Sequence, residues 1–203
     1  MDDIEDKMML ESLRLKKMEK QINGNSWTTS IEGIIKQWGE KASGNKCMHL
    51  EDCKRWKNVS DKSNTLIIIL STLCGMATLS KSTSIFVTYV IGTLNFTCGI
   101  LTSITRFYKP DKKAEMHLQS AKQYGCLYRQ IDLELKLTRE DRTNADHISG
   151  ILRKQYDDIQ NDSPLISDKT IIWFKKQLPQ SEGNITRPDI IYPTGICIEV
   201  NTS

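Results

Sequence analysis

Two long uncharged runs dominate the pattern of polar and apolar positions along the chain. Residues 63 to 80 and 82 to 105 contain no Asp, Glu, Lys or Arg, and only Lys81 separates them. At about 1.5 Å of rise per residue, each run can cross a hydrocarbon core of roughly 30 Å as a helix. We therefore predict two transmembrane helices, over about 63–80 and 83–105. With so short a loop between them, they form a hairpin that returns the chain to its original side.

The segments on either side of the hairpin have helical periodicity. Apolar residues recur at spacings of three and four in 2–22, 29–62 and 111–137, and further helices are predicted for about 138–160 and 167–178. The sequence also contains expected interruptions and caps. These are a helix stop at Asn23, Gly24 and Asn25, a weak point or break at 43–45, a capping box of Thr138 and Asp141, and a breaker at 161–164. The fold class predicted is all-α.

These elements define three parts of the chain. Residues 1–25 form an N-terminal amphipathic helix that packs on its own protein, on a partner helix or on the membrane interface. Residues 26–178 form the membrane domain, in which the segments 29–62 and 111–178 make a helical bundle on the cytoplasmic side. Residues 179–203 read as an extended C-terminal tail that could add a strand to a partner sheet.

Charge and hydropathy add one prediction, the orientation of the hairpin in the membrane. The mean hydropathy of −0.42 suits a soluble protein, but the apolar residues are concentrated in the hairpin. Lys and Arg flank both ends of the hairpin, whereas its loop has only Lys81, so both termini are expected on the cytoplasmic side. The flanking residues are Lys46, Lys54, Arg55, Lys57 and Lys62 before it, and Arg106, Lys109, Lys112 and Lys113 after it. A net charge of +3 gives no reason to expect a nucleic-acid partner.

Small and polar residues form a stripe along each apolar run. The members are Thr88, Gly92, Asn95, Gly99 and Thr102 in the second run, and Ser71, Gly75 and Thr78 in the first. Small residues let membrane helices approach closely, and an Asn in lipid seeks a hydrogen-bond partner, so one interpretation is a packing seam between the two helices. The alternative is the polar lining of a pore in an oligomer. Neither run contains Asp, Glu, Arg or His, so the sequence offers no residue for a proton relay.

Candidate chemistry is sparse. Cys47, His49 and Cys53 lie within seven residues, but they do not share one helix face and they lack the paired spacing of a structural zinc site. Ordinary packing is therefore the favoured interpretation. No phosphate-binding loop and no recognisable nucleophile–base spacing occurs. We expect no enzyme activity, no metal, no cofactor and no small-molecule substrate.

Several residues around the hairpin resemble a known family. In chain order they are Trp38, Glu40, Lys41, His49, His117, Tyr128, Arg129, Glu134, Ser163 and Pro164. With the two apolar runs between them, this order resembles the two-transmembrane family of nucleocytoplasmic large DNA viruses, which belongs to the SLATT class of membrane domains. The resemblance covers roughly 34–178, and the chain departs from the family pattern at 44–47. It implies a helical bundle joined to a membrane hairpin, and it carries no catalytic residues.

Two functions follow as expectations. The first is a structural, minor virion component of an internal membrane, which links that membrane to the capsid. The alternative is an oligomeric pore-forming effector, as proposed for SLATT domains of bacterial conflict systems. The expected partners are a lipid bilayer, further copies of the chain, or neighbouring capsid and membrane proteins. The expected location is a virion or host membrane, crossed twice.

Overall fold

A computed structural model of the chain describes residues 2–79, 85–177 and 188. The described residues form helices and no strand, which confirms the all-α prediction. The helices are α1 (Asp2–Ser26), α2 (Thr29–Leu79), α3 (Ile85–Tyr108), α4 (Pro110–Lys136), α5 (Ala145–Asp162) and α6 (Asp168–Gln177). The loop predicted between the apolar runs lies outside the described residues, and so does the C-terminal tail except for Pro188.

Two predicted helix boundaries were wrong. α1 continues through Asn23, Gly24 and Asn25 and ends at Ser26. α2 is one helix of 51 residues with no break at 43–45. Local propensity disfavours Gly within a helix, but other parts of the chain pack closely against α2 at Gly44. A Cβ on Gly44 would lie only 2.5 Å from Cγ of Pro188, so the backbone of α2 is in close contact with that buried proline.

The start of α5 also differs from the prediction. The hydroxyl of Thr138 donates a hydrogen bond of 2.7 Å to Asp141, but these two residues form a turn rather than the start of a helix. The N-cap is Asn144, whose side-chain oxygen accepts from the backbone N–H groups of Asp146 and His147. A cap of this kind satisfies donors that have no partner within the helix.

The chain divides into two compact units. The first comprises Met1–Met48 and Ser120–Ser203, and the second comprises His49–Gln119. In the first unit, α2 and α4 approach closely, because a Cβ on Gly39 would lie 3.0 Å from a methyl group of Ile131. Helices α4 and α5 complete the core. Its buried members are Trp27, Ile35, Ala42, Tyr124, Leu127, Ile131, Ala145, Ile148, Leu152 and Tyr156.

A polar network in the first unit joins α2 to the loop before α5. Arg142 is almost fully buried and stacks its guanidinium 4.9 Å from the ring centre of Trp27. It donates hydrogen bonds to Glu32 and to the backbone carbonyls of Leu135 and Leu137, at the end of α4. Arg142 therefore satisfies carbonyl groups that the last turn of α4 leaves without helical partners.

In the second unit, α2 runs antiparallel to α3 and α4. Ser71 contacts Cys98, Lys113 lies 4.4 Å from the ring centre of Trp56, and His49 contacts His117. As the residue number rises along α2, the number of its neighbour falls, so the facing helices run in opposite directions. Between α3 and α4 only Lys109 leaves the helical conformation, with a φ of 43°.

Candidate functional site

The apolar part of the second unit is the first candidate site. Among the described residues, one helical stretch, Ile85–Lys136, contains a segment long and apolar enough to cross a membrane, judged by length and composition alone. None of that segment is buried within the chain, and α3 has no buried residue. Phe86, Tyr89 and Phe96 are among the most exposed large side chains of the molecule. Such a continuous exposed apolar surface is typical of a membrane or protein contact.

The C-terminal end of α2 is also apolar and exposed. Leu66, Ile68, Ile69, Leu73 and Met76 all expose about half of their surface or more. Cys74 is buried, by contrast, and the hydroxyl of Ser71 lies 3.1 Å from the sulfur of Cys98 on α3. The two apolar segments therefore lie side by side, with most of their large side chains directed away from each other.

The glycines of the predicted stripe make no close contact with a facing helix. A Cβ added at Gly75, Gly92 or Gly99 would meet no atom within 4 Å, and the side chain of Asn95 is exposed. The half-buried positions of α3 lie one residue earlier in the chain, at Val87, Ile91, Leu94, Cys98 and Leu101. A shift of one residue turns a helix position by about 100°. Of the predicted stripe, Ser71 contacts α3, Thr102 is half-buried, and Thr78 and Thr88 are exposed.

Hydroxyl groups in these apolar segments bond to their own helices. Thr78 donates to the carbonyl of Cys74 at 2.7 Å, and Thr102 donates to the carbonyl of Cys98 at 2.8 Å. The same bond to the residue four positions earlier is made by Ser71, Thr72, Thr93, Thr97, Ser103 and Thr105. This bonding satisfies the hydroxyl donors without water, as a site in lipid requires.

A buried pair of histidines is the second candidate site. His49 on α2 and His117 on α4 are 2% and 3% exposed, and their Nδ1 atoms lie 3.0 Å apart. One of these nitrogens must donate its N–H and the other must accept it, so the two neutral rings have opposite tautomers. The carboxylate of Asp52, one turn further along α2, is also buried. The two imidazoles thus share a single hydrogen bond inside the helical pair.

Burial controls the charge of this pair. Desolvation lowers the pKa of His49 to about 4, with a further contribution from His117, while the negative charge of Asp52 acts in the opposite direction. Desolvation also lowers the pKa of His117, again opposed by Asp52. Both rings are therefore neutral at pH 7.

The structure brings together some of the other residues that carry the family resemblance. In the first unit, Trp38 and Tyr128 pack against the core. Glu134 accepts a hydrogen bond from the backbone N–H of Thr143, and Ser163 donates to the carbonyl of Ile159. Glu40 lies 3.8 Å from Lys36. Lys41 and Pro164 are half-buried, and Arg129 is exposed.

Sequence reasoning missed three polar residues that organise the bundle. Asn45 donates to the hydroxyl of Tyr156 and also bonds to Tyr124, whose pKa is raised because burial disfavours the phenolate. Asp52 is placed beside His49 by a spacing of three along one helix, a signal that the sequence does contain. The structural role of Arg142 was not predicted, because its partners lie on other elements.

The two candidate sites contain no arrangement suited to metal binding. Among the residues that the structure describes, no group of three or more His, Cys, Asp or Glu side chains could hold a metal ion. Cys47 is exposed, whereas His49 is buried, so the cysteine and the histidine considered as ligands do not converge.

Comparisons of the chain with protein-family models, with curated proteins and with solved structures find no match.

Proposed function

We propose that this chain is a non-enzymatic integral membrane protein, anchored by a hairpin of the C-terminal end of α2 and α3. The observation that carries the proposal is the exposed apolar surface of both segments, which lie side by side at Ser71 and Cys98. Water would solvate such a surface poorly, whereas hydrocarbon would cover it at no cost. Basic residues at both flanks favour a cytoplasmic location for both ends of the hairpin.

Within this proposal, the helical flanks serve as an attachment for a protein shell. The resemblance to membrane proteins of large DNA viruses supports a minor structural role in a virion, between an internal membrane and the capsid. The first unit supports it as well, because its long helices and buried Arg142 network make a stable body outside the apolar segments. No catalytic function is needed for such a link.

A topology experiment tests the membrane proposal. The chain should stay in the membrane pellet after alkaline carbonate and leave it only with detergent. Tags at the two termini should both be accessible from the cytoplasm after selective permeabilisation of the plasma membrane of expressing cells. A single span would place the tags on opposite sides, and release by carbonate alone would contradict any span.

A charge in the apolar surface provides a matched comparison for this experiment. Ile68→Arg should prevent stable insertion of the first span, because an arginine near the centre of a span costs roughly 3 kcal/mol. Met9→Arg introduces the same charge at an equally exposed position of α1 and should leave insertion unchanged. The exposed fractions of the two side chains are 65% and 60%.

The capsid link has its own test. Removing residues 192–203 should release the protein from isolated capsids while leaving it in membranes. This truncation keeps Pro188, whose burial against Gly44 would be lost if the whole tail were removed. Capsids that retain the shortened chain would exclude residues 192–203 as the attachment.

An oligomeric pore is the second candidate function, and one observation favours it. Asn95 and the glycines of its stripe face away from the contact between α2 and α3. A side-chain amide facing hydrocarbon is unfavourable, so a neighbouring hairpin or a water-filled lumen would stabilise it.

Ion flux through liposomes that contain the purified chain separates the pore from the anchor. If the stripe lines a pore, Asn95→Leu should reduce the flux at least tenfold. Thr93→Val is the control, since Thr93 is exposed on another face and bonds to its own helix. Flux that is absent, or equally high in Asn95→Leu, would contradict the pore.

A further inference from the structure

Helix α1 carries a row of apolar side chains that is open to solvent. Met8, Leu15, Met18 and Ile22 each expose more than half of their surface. A helix of this length is only marginally stable in water unless its apolar face packs against something. This row therefore needs a partner beyond the described part of the chain.

The spacing of the row indicates what kind of surface it is. Met8, Leu15 and Ile22 are seven residues apart and occupy one heptad position, a, while Met18 occupies position d. At 100° per residue the four side chains fall within an arc of about 80°. A row of this width has the spacing of a coiled-coil seam, and the other exposed apolar residues of α1, Met9, Leu10 and Leu13, lie outside this arc.

The charged residues beside the seam indicate which helix it pairs with and in which direction. Lys7 and Arg14 occupy position g on one side of the seam, and Glu19 occupies position e on the other. In a parallel pair of identical helices, position g of one helix faces position e of the other, so Arg14 would meet Glu19 of the second copy. In an antiparallel pair, g faces g, and the basic residues would repel one another. We propose that α1 forms a parallel, in-register coiled coil with α1 of a second copy of this chain.

The attachment of α1 to its own chain leaves the seam open. Lys20 pairs with Asp141, in the loop between α4 and α5. Lys20 occupies position f, on the side of α1 opposite to the seam. At the end of α1, the hydroxyl of Ser26 accepts a hydrogen bond from the backbone N–H of Ala145. The first unit thus contacts α1 on the face opposite the seam and at its C-terminal end.

One residue weakens the seam and gives the proposal a sharp test. Glu11 occupies the d position between Met8 and Leu15, so a parallel dimer brings two carboxylates together. Glu11→Leu should therefore tighten self-association at least tenfold, measured by analytical ultracentrifugation of the full chain in detergent. If α1 contacts lipid or another segment of its own chain instead, Glu11→Leu leaves the dimerisation constant unchanged, and the proposal fails.

Cysteine cross-linking reports the register directly. Leu15→Cys should form a disulfide-linked dimer on mild oxidation of the full chain, because identical a positions meet in a parallel pair. Leu13→Cys is the matched control: the two leucines are 59% and 57% exposed, but Leu13 lies opposite the seam. The unsubstituted chain, with its own six cysteines, gives the background. Equal cross-linking of the two variants, or none above background, would overturn the proposal.

A charge swap tests the choice of partner. Arg14→Glu should weaken the dimer about tenfold, because it places like charges at facing g and e positions. Adding Glu19→Arg to the same chain should restore the original affinity. If the double variant is as weak as Arg14→Glu, these residues do not face each other and the parallel arrangement is wrong. Contacts between hairpins would not respond to this pair, so the result is independent of the membrane function.

Discussion

Arg142→Ala is expected to lower the free energy of unfolding by about 3 kcal/mol, because it removes a nearly buried guanidinium with several partners. The carbonyls of Leu135 and Leu137 would lose their donor, and Trp27 would lose the cation stacked on its ring. Part-buried acceptors without a donor are costly, since water replaces the lost hydrogen bonds only in part. Denaturant unfolding in detergent micelles, followed by circular dichroism, measures the change.

Arg139→Ala is the matched control for this prediction. Arg139 also binds Glu32, through two hydrogen bonds of 2.9 Å, but it lies at the surface. Exposed ion pairs contribute little to stability because water and salt screen them. The free energy of unfolding should therefore change much less than in Arg142→Ala. Equal losses in the two variants would mean that the buried bonds to the end of α4 contribute nothing.

The second large effect is a loss of stability in acid. Burial holds the pKa of His49 at about 4 in the folded chain, compared with an ordinary value of 6.5. The unfolded chain therefore binds protons more readily between these values, and folding is fully favoured only above about pH 6.5. As the pH falls from 6.5 to 4, His49 alone should lower the free energy of unfolding by roughly 3 kcal/mol. The lowered pKa of His117 acts in the same direction.

Variants of the three histidines test this pH dependence. His49→Gln keeps a polar side chain beside His117 but cannot take up a proton, so the loss between pH 6.5 and 4 should become smaller. His117→Gln should act in the same way if His49→Gln folds poorly. His147 is exposed on α5, and His147→Gln should leave the pH profile unchanged. A wild-type profile that His49→Gln and His117→Gln both reproduce would exclude the buried pair as the cause.

The sequence pattern predicted helices more reliably than helix faces. In α4 the core residues Tyr124 and Leu127 were not among the residues singled out from the sequence. In α3 the half-buried residues Ile91 and Leu94 lie one position before Gly92 and Asn95 of the predicted stripe. Several small and apolar residues are adjacent there, so the periodicity fits two neighbouring faces equally well. Only the register against α2 selects one of them.

Contacts between distant residues could not be predicted in this way. His49 and His117 are 68 residues apart, and their meeting depends on the alignment of α2 with α4. Gly44 of α2 packs against Pro188, which comes from the other end of the chain. Local propensity contains neither piece of information. Asn144 as the cap of α5 was in principle predictable, but Thr138 and Asp141 offered a competing cap nearby.

The hydroxyl groups of the apolar segments affect the free energy with which these segments would enter a lipid bilayer. A hydropathy scale assigns each serine or threonine the transfer free energy of a free hydroxyl. In α2, Ser71, Thr72 and Thr78 each donate to a carbonyl of their own helix. Once the helix has formed, these donors no longer need water, so the segment partitions into lipid more favourably than its residue composition implies. The partition free energy of this segment is therefore a property of the formed helix, and the proposed membrane function requires insertion and helix formation to be coupled.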